Sequence, residues 1–156
     1  MPHYVPIAVI SLVLAANSSA LAIRPWQQST EFKEKSFTAS ADPDVRVHVN
    51  APLENNGQPA LGTRLIIFAL PNGNTIEQTL GCKLVDGLDW HYDIQHVAAQ
   101  VRLLRKLYPE ERIVLVCVET QGLSWPNWRR THEDANHKIA ELVLCHSLIF
   151  GLAGGR

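Results

Sequence analysis

Residues 65–70 read Leu-Ile-Ile-Phe-Ala-Leu, an unbroken apolar run. A run that does not alternate predicts a strand buried on both faces, as in a parallel sheet covered by helices. It stops at Pro71-Asn72-Gly73-Asn74-Thr75. Asn74 is placed to cap a short helix, with Glu77 three residues on in the capping-box position and Gly81 as its stop. Residues 113–118, Ile-Val-Leu-Val-Cys-Val, predict a second fully buried strand. Between the two runs, Ile94, Val97, Ala98, Val101, Leu104 and Leu107 recur at helical spacing. They predict an amphipathic helix capped by Asp93 and ended before Pro109. Arg102, Arg105 and Lys106 lie near its carboxyl end, where the helix dipole favours cations. Upstream, Val45, Val47 and Val49 alternate with Arg46, His48 and Asn50, which predicts a half-exposed edge strand. Downstream, a loop carrying Trp125, Pro126 and Trp128 leads to a last helix, capped by Thr131, with Ile139, Leu142, Val143 and Ile149 facing inward.

Strand, helix, strand, helix with buried strands predicts a right-handed βαβ unit on a parallel sheet. The expected fold class is α/β, a partial three-layer αβα sandwich with a small, mainly parallel sheet. Two strands buried on both faces need neighbours, and a further strand is expected after the last helix. The α/β domain over residues 45–156 therefore reads as incomplete.

The amino-terminal segment has a different pattern. Residues 5–16 are apolar and uncharged, and Ala20-Leu21-Ala22 places small residues at both key positions of a cleavage site. This predicts a signal peptide over residues 1–22 and export to a periplasmic or extracellular destination. The alternative is a protein anchored by an uncleaved amino-terminal segment, since that segment has no Lys or Arg before the apolar run. After cleavage no stable transmembrane segment is expected. Residues 23–44 are polar and mixed and read as a flexible lead-in.

Composition changes this picture little. The chain is 46% hydrophobic and 19% charged, which is the make-up of a globular domain. Lys plus Arg number 14 against 15 Asp plus Glu, a net charge of −1, so there is no electrostatic case for a nucleic-acid partner. The three cysteines, Cys82, Cys117 and Cys145, leave at least one thiol without an intramolecular partner. Cys117, inside the second apolar run, reads as a small buried apolar residue.

The segment from Leu65 to Glu119, a hydrophobic strand, a Gly/Asn turn, a helix and a second hydrophobic strand, resembles the amino-terminal half of the α/β-hydrolase fold. In that family the loop after the third strand supplies backbone N–H groups to an oxyanion hole. The resemblance implies that Asn72, Gly73, Asn74 and Thr75 occupy this place. It also implies ester or related acyl hydrolysis by a serine nucleophile. The family's nucleophile elbow, Gly-x-Ser-x-Gly, does not occur in the 156 residues. The chain as it stands is therefore expected to be catalytically incompetent. Two other readings stand beside this one: a non-enzymatic secreted binding module, and a truncated gene product without a function of its own.

Four groups of residues carry candidate chemistry. Asn72, Gly73, Asn74 and Thr75 lie between a strand and a helix, where open α/β sheets bind ligands and where developing oxyanions are stabilised. Asp89-Trp90-His91-Tyr92-Asp93 puts an acid, an imidazole and aromatics in one loop, so Trp90 and His91 are pocket candidates. Ser124 is the nearest plausible hydroxyl. Trp125 and Trp128, followed by Arg129 and Arg130, can stack on a glycan or pair with an anion. The expected ligand is a small-molecule ester or a glycan. The pairs His91–His96 and His132–His137 are five apart, which on a helix points them about 140° away from each other. With no Cys-x-x-Cys present, no metal site is expected. No cofactor motif is present.

Overall fold

The computed structural model describes residues 25–42, 44–53, 61–81 and 96–149. They form strands β1 (Gln27–Ser29), β2 (Glu34–Asp42), β3 (Val45–Pro52), β4 (Gly62–Ala69) and β5 (Glu111–Thr120). The helices are α1 (Ile76–Leu80), α2 (Val97–Leu107), α3 (Trp125–Thr131) and α4 (Ala135–Ile149). The strands make one sheet in the order β1-β2-β3-β5-β4. The α/β class holds. The mainly parallel sheet does not: β1–β2, β2–β3 and β3–β5 are antiparallel, and only β4–β5 is parallel. The parallel pair is the one joined through helices, because parallel neighbours need a crossover whereas antiparallel ones need only a turn.

The segment read as a flexible lead-in contains β1 and all of β2. β2 pairs with β3 from Glu34 opposite Pro52 to Asp42 opposite Val45. This partner moves β3 from the edge to the middle of the sheet. Its alternation survives there because its two faces meet different surroundings. Val45, Val47, Val49 and Ala51 enter a core with Val114, Val116, Val118, Trp128 and Ala135, packed by Ile139 and Leu142 of α4. Arg46, His48 and Asn50 face the other way, opposite Ser40, Thr38 and Ser36 of β2. A polar strand face tolerates an interior position when the neighbouring strand is polar too.

β5 meets its expectation, with Ile113 to Thr120 buried throughout. β4 does not. It lies at the sheet edge and pairs only with β5 among the described residues, and Ile67 is 37% exposed. Its apolar run packs on both sides, Leu65 into the first core and Ile66 and Phe68 into a second. That second core joins Ile113, Leu115 and Cys117 to Ile76, Val97 and Val101. Helices α1 and α2 thus cover one face of the sheet, and α3 and α4 the other.

The helix boundaries differ from the sequence reading in three places. Thr75, not Asn74, caps α1: its side chain accepts from the N–H of Gln78, whose side chain accepts from the N–H of Thr75. The box is therefore Thr75/Gln78, one residue later than Asn74/Glu77. Asp93 and Ile94 lie outside the described residues. Val97, Ala98 and Val101 are buried as expected, but Leu107 is 61% exposed. The Trp125–Trp128 segment is a helix and not a loop, with Ser124 as its cap and Pro126 in its first turn. Thr131 closes that helix, and α4 starts at Ala135. Ile139 and Leu142 face the core, whereas Val143 is 41% exposed.

A charged clasp fixes α2 to the antiparallel end of the sheet. Glu34, 5% exposed, accepts from Nε and Nη2 of Arg102 at 3.2 and 2.5 Å and from Nη1 of Arg105 at 3.2 Å. Arg105 also donates to the carbonyls of Ile113 and Asn50, both at 3.0 Å. Burial lowers the Arg105 pKa, and the charge of Glu34 opposes that effect.

Candidate functional site at the carboxyl ends of β4 and β5

Parallel strands β4 and β5 end side by side, so the chain leaves both at one end of the sheet. The N–H of Leu70 donates to the carbonyl of Val118 at 3.1 Å, one step beyond the end of β4. Beyond it two turns meet. The N–H of Gly73 donates to the carbonyl of Leu123 at 2.9 Å. Gly73 and Gly122 both have positive φ, +82° and +77°, and a Cβ at either would meet nothing within 4 Å. Glycine is needed there for the backbone angle and not for room.

The N–H groups of Asn74, Thr75 and Ile76 are also engaged. Asn74 donates to the carbonyl of Pro71 at 3.3 Å, and Thr75 to Oε1 of Gln78 at 2.9 Å. The N–H of Ile76 donates to Oε2 of Glu119 at 2.7 Å. A buried protein carboxylate therefore already sits at the start of α1. Asn74 is 1% exposed, and neither polar atom of its carboxamide has a hydrogen-bond partner among the described residues. The Thr120 hydroxyl, at the end of β5, is in the same condition.

Glu119 was not legible as a site residue. It follows Ile113, Leu115 and Cys117 at every second position, so its side chain falls on the face covered by α1 and α2. There it accepts from Nη1 of Arg46 at 2.8 Å, while Nη2 of Arg46 donates to Glu77 at 2.7 Å. Burial raises the Glu77 pKa, but hydrogen bonds from its own backbone and from Arg46 outweigh this and hold the carboxyl below its usual range. Burial lowers the Arg46 pKa, and Glu77 and Glu119 overcome this to raise it. The three charges lock β3, β5 and α1 together.

His48 lies one step along that face, opposite Cys117 in the β3–β5 register. Its Nδ1 is 2.9 Å from Oγ1 of Thr38. Burial lowers its pKa, Glu77 and Glu34 pull the other way, and Arg46 adds to the lowering. A histidine held neutral in the fold binds fewer protons than in the unfolded chain. Stability is therefore expected to fall as pH drops through about 6.5. Urea midpoints at pH 7 and pH 5 test this: the fall should be smaller in His48→Gln than in the parent. Burial also pushes the Cys117 thiol up to about 12, so at neutral pH it is an apolar filler and not a nucleophile.

The remaining candidates are not brought together. Trp90, His91 and Cys82 lie outside the described residues. Trp128 is 3% exposed, edge-on to Trp125 at 5.5 Å and stacked on His132 at 4.4 Å. Trp125 packs against the same core. Ser124 accepts from the N–H of Asn127 as a helix cap, and no hydrogen bond joins it to a histidine among the described residues. His132 contacts Asp44 at 3.2 Å and His137 contacts Glu141 at 3.2 Å, so the two imidazoles serve different partners. Among the described residues no group of three His, Cys, Asp or Glu side chains is placed to hold a metal ion. No helix among them is long and apolar enough to cross a membrane. Comparison with protein-family models, curated proteins and solved structures returned no match to the chain.

Proposed function

We propose that residues 34–149 build the amino-terminal part of an α/β-hydrolase-like sheet in an exported protein. The observation that carries this reading is the order and direction of β2, β3, β5 and β4. The α/β-hydrolase sheet opens with an antiparallel pair. Its fourth strand then lies beside the second, and its third lies outside, parallel to the fourth. Strands β2 to β5 follow that plan in order and in direction. The two cores, one under α1 and α2 and one under α3 and α4, support the three-layer αβα arrangement that goes with it. In this plan residues 72–75 are the oxyanion loop. Gly73 and Leu123 share the hydrogen bond that must open if the Gly73 N–H is to reach a substrate oxygen.

The outer edge of β4, which pairs with no strand but β5 among the described residues, supports the same reading. A strand that is apolar toward both faces is suited to the interior of a sheet, and its unpaired backbone groups are a template for another strand. A strand added there, parallel to β4, is where the missing nucleophile belongs. The reaction class is acyl transfer to water, and the residues described here contribute the oxyanion side alone. The tryptophan-based binding reading gains no support, because Trp128 is buried.

The test uses a fluorophosphonate serine probe on two samples: the purified 156-residue chain, and the product captured from the native host with an antibody against it. The chain alone is expected to stay unlabelled. The native product is expected to carry the label on a serine within Gly-x-Ser-x-Gly, and its mature amino terminus is expected near residue 23. A label on Ser124 or another serine of this chain overturns the expected incompetence. A native product without any labelled serine overturns the hydrolase-like reading.

A further inference from the structure

The amino ends of β4 and β5 lie at the opposite end of the sheet from the Gly73–Leu123 contact. There the surface opens into a groove of about 1160 Å³ between the β1–β2 turn and α2. Its wall is apolar. Phe32 and Leu103 line it while remaining 46% and 56% exposed, and Leu53 joins them.

Its charges do not balance. Arg102 and Arg105 both line the groove and share the one carboxylate of Glu34. Arg105 uses all three of its nitrogens on Glu34 and two carbonyls. Arg102 uses Nε and Nη2 on Glu34, which leaves Nη1 without a protein acceptor among the described residues. The Arg102 guanidinium lies over the Phe32 ring at 3.7 Å, so cation and apolar wall hold each other in place. Lys33 and Lys106 also line the groove, and neither forms an ion pair among the described residues. Of the two lining carboxylates, Glu111 is taken by Arg64 at 2.6 Å, leaving Glu31 alone against this positive excess.

The geometry points to this groove as a binding site for a free anionic amphiphile, an apolar chain ending in a carboxylate or a phosphate. The head group meets Nη1 of Arg102 and the flanking ammonium groups of Lys33 and Lys106. The chain lies along Phe32 and Leu103. Arg102 is already immobilised by Glu34 and Phe32, so little side-chain entropy is lost on binding. The site is independent of the hydrolase-like reading, being built from other residues at the other end of the strands.

Calorimetric titration of the full chain with decanoate and with decyl phosphate, both below their micelle concentrations, tests the proposal. Decyltrimethylammonium serves as the charge control. Saturable one-to-one binding of at least one anion is expected, weakening as salt rises, with no binding of the cation. Lys33→Glu with Lys106→Glu should weaken it about tenfold. Leu103→Asp should weaken it by a similar factor through the chain. All three positions are exposed, so the parent's thermal transition should be retained. Equal binding of anion and cation overturns the proposal. So does an affinity unchanged in both variants, or binding to anionic vesicles without binding of the dissolved amphiphiles.

Discussion

Trp128→Ala is expected to lower the unfolding free energy by about 3–5 kcal/mol, the usual cost of removing a large aromatic side chain from a packed core. Trp128 is 3% exposed and lies in the core built from the apolar faces of β3 and β5. It also holds α3 in place through its edge-on contact with Trp125 and its stacking on His132. Its loss opens a cavity at the centre of that contact set, which neighbours fixed by strand pairing cannot fill. Single domains have only about 5–15 kcal/mol of stability in all, so the urea midpoint should move far enough to measure easily. Trp128→Phe is the control. It keeps most of the buried volume and removes an indole N–H that has no acceptor among the described residues, so it should cost much less than alanine. If Trp128→Ala unfolds no more readily than the parent, the side chain is not a core anchor.

The second large effect is expected at Glu34. Glu34→Ala leaves Arg102 and Arg105, whose side chains are 29% and 13% exposed, without their shared carboxylate. Stranding partly buried cations costs about 3 kcal/mol. Because the pair is shielded from solvent, the loss should change little between low and moderate salt. A double-mutant cycle identifies the cause. Adding Arg102→Met to Glu34→Ala removes one stranded charge, so the double variant should be more stable than the sum of the single losses implies. Additive losses would mean that Glu34 acts through packing alone.

Much of this architecture is written in the residue pattern, but the position of each strand in the sheet is not. Apolar periodicity reports how many faces of a strand are covered, and says nothing about how many neighbours it has. β4 packs apolar side chains on both faces, although none of its residues is fully buried, and lies at the edge among the described residues. β3 has one polar face and lies between two strands. β2 carries the alternation of a strand, with Phe37, Ala39 and Ala41 against Ser36, Thr38 and Ser40. Small residues and Ser/Thr make that signal weak, and the surrounding Glu and Lys mask it. The capping box slipped by one residue because Asn74/Glu77 and Thr75/Gln78 fit the same motif, and only the backbone angles choose between them. The candidate site was half legible. Its turn was visible in Asn72–Thr75. Glu119 was hidden at the end of an apolar run, although its phase with Ile113, Leu115 and Cys117 assigns its face. The clasp at Glu34 was hidden too, since it joins residues distant in sequence, and helix-end cations already have a local explanation in the dipole.

The position of β5 between β3 and β4 sets an order of events for a chain emerging from the ribosome. The β2–β3 hairpin pairs neighbours in sequence and can close early. β3 and β4 never pair with each other, and both wait for β5, with Val45 meeting Thr120 and Gly62 meeting Glu111. Closing such long loops is entropically costly and slows folding. Until residue 120 is available, one side of β3 and all of β4 remain unpaired, and the two cores have no common wall. Assembly of this sheet is therefore expected to be a late, largely single step triggered by one strand, and a substitution that weakens β5 should slow folding more than one of equal cost in the β1–β2 turn.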